Sequence, residues 1–86
     1  MEIYYSPDFI KQFKKLPKNI QSLAIIKEKI FRLNPFNASL KTHKLAGHLQ
    51  GYWSFSVNYQ IRIVFSFKKD IAYFIIIGDH SIYRKK

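Results

Sequence analysis

Gly51-Tyr52-Trp53-Ser54-Phe55-Ser56-Val57, Ile61-Arg62-Ile63-Val64-Phe65 and Ile75-Ile76-Ile77-Gly78-Asp79-His80 read as three consecutive strands, and the rest of the chain is arranged around them. Strand side chains alternate between faces, so Ile61, Ile63, Phe65 and Phe67 share one face of the middle strand. Gln60, Arg62, Val64 and Ser66 share the other. In the strand before it, Trp53, Phe55 and Val57 alternate with Tyr52, Ser54 and Ser56. The first set is a core face, and Trp53 belongs to it. The second offers an arginine, hydroxyls and an approaching His80, which is the chemistry of a phosphate site. A charged residue within a strand is costly unless it is paired or faces a site. Arg62 therefore either pairs with an acid such as Asp79 or serves a ligand.

Upstream, Glu2 to Tyr5 alternates enough for a short first strand. Ser6-Pro7-Asp8 then supplies an N-cap hydroxyl, a proline suited to the first helical position and an acid at the positive helix end. Phe9, Ile10, Phe13 and Leu16 follow at helical spacing until Pro17 breaks the helix. A second helix begins near Lys18 or Asn19, with Ile20, Leu23, Ala24, Ile30 and Phe31 as its apolar stripe and Pro35 as its bound. From Asn34 to Gln50 the periodicity stops, and the segment reads as a long loop carrying Lys41, His43, Lys44 and His48. Lys68-Lys69-Asp70 reads as the turn joining the last two strands. The expected fold is α+β, with two amino-terminal helices packed on a mostly antiparallel sheet in the order β-α-α-β-β-β.

The 86 residues are expected to form one domain, 1–86, and 48% hydrophobic residues supply its core. Cysteine is absent, which removes disulfides and thiolate metal sites and fits a reducing cytoplasm. The longest apolar run, Ile71 to Ile77, is far short of the roughly 20 residues a membrane helix needs. The amino terminus lacks the basic segment of a signal peptide. A formal charge of +10 favours a polyanionic partner, nucleic acid first and an acidic protein segment second.

Five acids spread along the chain make a Mg²⁺-dependent nuclease a poor fit, because that chemistry needs clustered carboxylates. His43 and His48 match no short zinc motif, and there is no Gly-rich phosphate loop. No metal or other cofactor is expected. What remains is metal-free phosphate chemistry with His, Arg and Tyr. RNA carries its own nucleophile, the 2′-hydroxyl. Cleavage then needs a base for that proton, a cation for the phosphorane and an acid for the leaving 5′-oxygen. Histidine titrates near neutrality, and the arginine fork stays charged and grips phosphate bidentately. Tyr83 and Arg84 are placed to stack on a base or contact phosphate.

Taken in order, the opening Ser6-Pro7-Asp8-Phe9, the loop His43-Lys44-Leu45-Ala46-Gly47-His48-Leu49, and Gly51-Tyr52-Trp53-Ser54 resemble the RelE/ParE superfamily of toxins from toxin–antitoxin modules. Arg62-Ile63-Val64-Phe65 and Gly78-Asp79-His80-Ser81-Ile82-Tyr83-Arg84 continue the likeness, which is closest to the YoeB and YafQ branches and covers essentially the whole chain. The resemblance implies a ribosome-associated mRNA endonuclease held in check by a cognate acidic antitoxin. It places His43 at a general-base position, Arg62 at the phosphate-stabilising arginine and His80 at the carboxy-terminal catalytic histidine. Tyr83 stands beside them as a further catalytic candidate. Lys41, Lys44, Ser56 and Arg84 are the expected RNA contacts. Ser56 stands where one branch has a second histidine and the other an arginine, so no extra catalytic group is expected there. The lysine-rich base cluster of the RelE branch is not evident, and whether His43 or His80 is the base stays open. The same superfamily contains ParE-type members that inhibit DNA gyrase by binding, without nuclease activity.

Overall fold

The computed structural model describes residues 1–83, so Arg84, expected as an RNA contact, lies outside the described residues. Seven elements run β1 (Glu2–Tyr5), α1 (Pro7–Lys14), α2 (Lys18–Leu33), β2 (His43–Lys44), β3 (Trp53–Ser56), β4 (Arg62–Lys68) and β5 (Ile71–Gly78), with short 3-10 turns between and after them. The strands form one sheet in the order β1-β5-β4-β3-β2. β1 runs parallel to β5, and every other pairing is antiparallel. The α+β, mostly antiparallel expectation holds, with one addition: the segment read as a plain loop contains the two-residue strand β2 and 3-10 turns at Ala38–Leu40 and Gly47–Leu49.

The first helix forms as its cap dictates. Ser6 Oγ accepts from the Phe9 amide at 2.9 Å and donates to the Ile75 carbonyl at 2.6 Å, tying the start of α1 to β5. At the end of the helix the Lys15 and Leu16 amides bond Gln12 O and Phe13 O, and Gln21 of α2 adds a side-chain donor, its Nε2 reaching Phe13 O at 3.1 Å and Leu16 O at 3.0 Å. Both helices cover one face of the sheet. Phe31, fully buried, stacks on Phe55 at 5.0 Å and meets Phe65 and Phe74 edge-on at 4.9 and 5.2 Å. Such aromatic pairs add roughly 0.5–1.5 kcal/mol each beyond the area they bury.

β5 carries the feature that shapes the site. Val64 pairs with Ile76 but Phe65 pairs with Phe74, so Ile75 is an extra residue in the ladder. The bulge inverts the facing of the strand. Ala72 and Phe74 enter the core before it and Ile77 after it, which leaves Ile76 and Gly78 on the opposite face. Beyond the end of β1, the outer edge of β5 is held by α1: Gln12 Oε1 accepts from the Ile77 amide at 3.0 Å.

Candidate active site

On the face away from the helices, the sheet register sets two rows of residues side by side. His43, Ser54, Val64 and Ile76 form one row, and Ser56, Arg62 and Gly78 form the next. The rows lie about 7 Å apart, two residues of strand rise. The 3-10 turn His80–Tyr83 folds back from the end of β5 over these rows.

Arg62 is the centre of the second row. Its Nη1 donates to Ser56 Oγ, and its Nε donates to His80 Nε2 at 3.3 Å. The guanidinium is thus braced from below by a 7%-exposed serine and from the side by a histidine on the surface. This donation makes Nε2 of His80 an acceptor, so the imidazole proton sits on Nδ1. Asp79 Oδ1 accepts from the Ser81 amide at 2.9 Å and shapes the turn.

Tyr83 closes the other end of the turn. Its hydroxyl shares a 2.6 Å hydrogen bond with Ser54 Oγ, and its ring lies 5.9 Å from that of His80. Ile82 lies so close to Gly78 that an added Cβ would stand 2.7 Å from its Cγ2. The glycine is what lets the turn lie flat on the sheet.

His43 belongs to the first row and is exposed. Its Nδ1 lies 3.0 Å from the Lys41 carbonyl. A carbonyl only accepts, so Nδ1 carries the proton and Nε2 presents a lone pair. Lys41 is one of two non-glycine residues with positive φ among those described, at 52°, and that conformation sits two residues before the histidine it orients.

The structure brings His43, Ser56, Arg62, His80 and Tyr83 to one face and separates Lys44 from them. Period-two alternation turns Lys44 toward Trp53, where its Nζ sits 5.4 Å over the indole. Lys41 is exposed, and its carbonyl is the partner of His43 Nδ1. His48 lies exposed in the Gly47–Leu49 turn, apart from the two rows. Two participants went unassigned in the sequence: Ser54, marked only as polar on the site face, and the Lys41 carbonyl. Among the described residues no three His, Cys, Asp or Glu are grouped to hold a metal ion, and no helix is long and apolar enough to cross a membrane. Beside His80 opens a cleft of about 410 Å³ lined by Tyr59, Gln60, Asp79, His80 and Ser81.

This sheet, helical hairpin and carboxy-terminal turn define a RelE-like fold. Neither protein-family models nor curated proteins yield a match to the chain, but solved structures do. YafQ from E. coli strain BL21(DE3) superposes with a TM-score of 0.77 at 22% identity, over 98% of each chain. The YoeB/ParE toxin from Agrobacterium tumefaciens gives 0.78 at 16%, over 93% of this chain and 99% of that one. YoeB in the YoeB–YefM complex from Staphylococcus aureus gives 0.77 at 21%, over 93% and 97%. At these identities the likeness is one of fold.

Proposed function

We propose that the protein is the toxin of a toxin–antitoxin module, a single toxin domain over residues 1–86 that cuts mRNA on ribosomes in the cytoplasm. The observation that carries this reading is the arginine: Arg62 lies in a strand on the open face, braced by Ser56 and His80 rather than buried against the core. The shared fold with YafQ and YoeB toxins supports it.

His43 Nε2 takes the proton of the 2′-hydroxyl. The freed oxygen attacks the adjacent phosphorus, and the Arg62 guanidinium stabilises the pentacoordinate phosphorane. The bond from phosphorus to the 5′-oxygen then breaks, and an imidazolium at His80 gives a proton to that oxygen, returning to the neutral ring whose Nε2 accepts from Arg62 Nε. The products are a 2′,3′-cyclic phosphate and a free 5′-hydroxyl, so electrons and protons balance without a metal or cofactor. Placement supports this division: the Lys41 carbonyl holds the His43 proton on Nδ1 and leaves Nε2 as the base, while His80 lies against the phosphate-binding guanidinium. Tyr83 holds the turn that carries His80. The Lys41 carbonyl braces His43, and Arg84 is a proposed phosphate contact.

The S. aureus YoeB structure contains YefM, and E. coli YafQ has been solved with DinJ in a toxin–antitoxin complex. By analogy the partner of this chain is an acidic antitoxin whose carboxy-terminal segment folds on binding. Expression in cells decides between this reading and gyrase inhibition. A nuclease halts translation and leaves cut transcripts with DNA topology unchanged. Trapped gyrase–DNA complexes with intact mRNA would establish the ParE-like alternative instead.

A further inference from the structure

Ile75-Ile76-Ile77 leave the end of β5 two ways to pair with β4. In the observed ladder Ile75 is the extra residue, so Val64 faces Ile76, Ile63 faces Ile77 and Arg62 faces Gly78. Without the bulge, Val64 would face Ile75, Ile63 would face Ile76 and Arg62 would face Ile77. The core receives an isoleucine opposite Ile63 in either case, so apolar burial does not choose between the ladders. The open face does feel the difference. A slip of one residue carries the strand end about 3.3 Å along the sheet and puts Ile77 in the place of Gly78 beside Arg62. His80 then leaves its position against the guanidinium, where its Nε2 accepts from Arg62 Nε.

The outer edge of β5 tells the two ladders apart. β1 covers that edge only as far as Phe74, which pairs with Tyr5. There the Ser6 amide donates to the Phe74 carbonyl at 2.9 Å, and the Ser6 hydroxyl donates to the Ile75 carbonyl at 2.6 Å. Carbonyls of a regular strand alternate between its two edges, so two in succession on one edge belong to the bulge alone. In the regular ladder the Ile75 carbonyl would turn inward to β4, away from Ser6. Gln12 does not discriminate in this way. It accepts from the amide of the residue that faces Ile63, here Ile77, and either ladder sets an isoleucine there.

We infer that Ser6 is a positioning residue for the candidate active site: its hydroxyl proton holds the bulge at Ile75, and the bulge sets Gly78 and the His80 turn against Arg62. The catalytic consequence rests on the nuclease reading, whereas the register does not. The hydroxyl has two tasks, since its oxygen also accepts from the Phe9 amide at 2.9 Å as the cap of α1. An ionised aspartate at this position keeps the acceptor and lacks the donor, so it separates the cap from the hold on the bulge.

The test compares Ser6→Asp with Ser6→Thr, which keeps both functions of the hydroxyl. NMR of the protein without RNA reads the ladder from the cross-strand contact of Arg62. In the wild type and Ser6→Thr that contact should be to Gly78. In Ser6→Asp it should pass to Ile77, while the Phe9 amide stays protected as in an intact helix. On translating ribosomes at saturation, Ser6→Asp should cleave roughly 10²-fold more slowly, the scale of a misplaced catalytic group. Half-saturation should stay near the wild-type concentration, and His80→Ala should add no further loss to Ser6→Asp. Deleting Ile75 as well removes the residue that needs holding and leaves a regular ladder with Gly78 opposite Arg62. The contact and the cleavage should then return in Ser6→Asp, and so should folding if Ser6→Asp alone has lost it. An Arg62–Gly78 contact undisturbed in Ser6→Asp, or a register that the deletion does not restore, overturns the inference. A wild-type protein that leaves mRNA intact would end the nuclease reading and leave the register result standing.

Discussion

Ser54 has no exposed surface, and its hydroxyl is spent on Tyr83, 29 residues further along the chain. Removing either partner strands the other, which costs roughly 1–3 kcal/mol when the group is buried, while removing both is close to neutral. Ser54→Ala and Tyr83→Phe should therefore each destabilise, and the double variant should lose clearly less than their sum in urea unfolding. Additive losses would mean the two hydroxyls do not depend on each other. Residue by residue, the site was unevenly legible in the sequence. Arg62 and Ser56 declared themselves through strand alternation, since cross-strand partners on a polar face are set by period two. The Ser54–Tyr83 contact did not, because it exists only once the terminal turn folds back over Gly78. The Lys41 carbonyl that meets His43 Nδ1 is a backbone group and leaves no side-chain signal.

Among the elements, both helices and the long strands follow from caps and periodicity, but β2 and the bulge do not. Two residues are too few to show alternation, and Ile75-Ile76-Ile77 are the same residue, so no pattern reveals where the strand changes face. α2 offers a test of its own packing. Glu28 is half-buried, accepts from the Tyr5 hydroxyl and lies 3.7 Å from Arg32. Burial raises its carboxyl above the usual range, and Arg32 only partly offsets this. The folded state thus holds this proton more tightly than the unfolded chain does. The stability it contributes is full below the unfolded glutamate value and is lost as pH rises through the folded one. Measured by urea unfolding between acidic and neutral pH, Glu28→Gln should match the wild type at the acid end and gain on it as pH rises. A difference that stays constant across the range would contradict this.

At the scale of the molecule, a charge of +10 makes association with an acidic partner a matter of electrostatics as well as shape. The association rate with the proposed acidic antitoxin should fall steeply as ionic strength rises, with a weaker effect on dissociation, when followed by stopped-flow mixing. A rate indifferent to salt would point to a partner selected on apolar contacts.

The central claim is that His43, Arg62 and His80 work as one acid–base and phosphate-binding unit on the open face of the sheet. It is tested most directly by mapping mRNA ends on translating ribosomes with folded, antitoxin-binding variants. Arg62→Ala should lower cleavage by roughly 10²–10³ for the lost phosphorane contact. His43→Ala and His80→Ala should each lower it by roughly 10²–10⁴, while His48→Ala stays near wild type. Wild-type cleavage by both His43→Ala and His80→Ala would contradict the account.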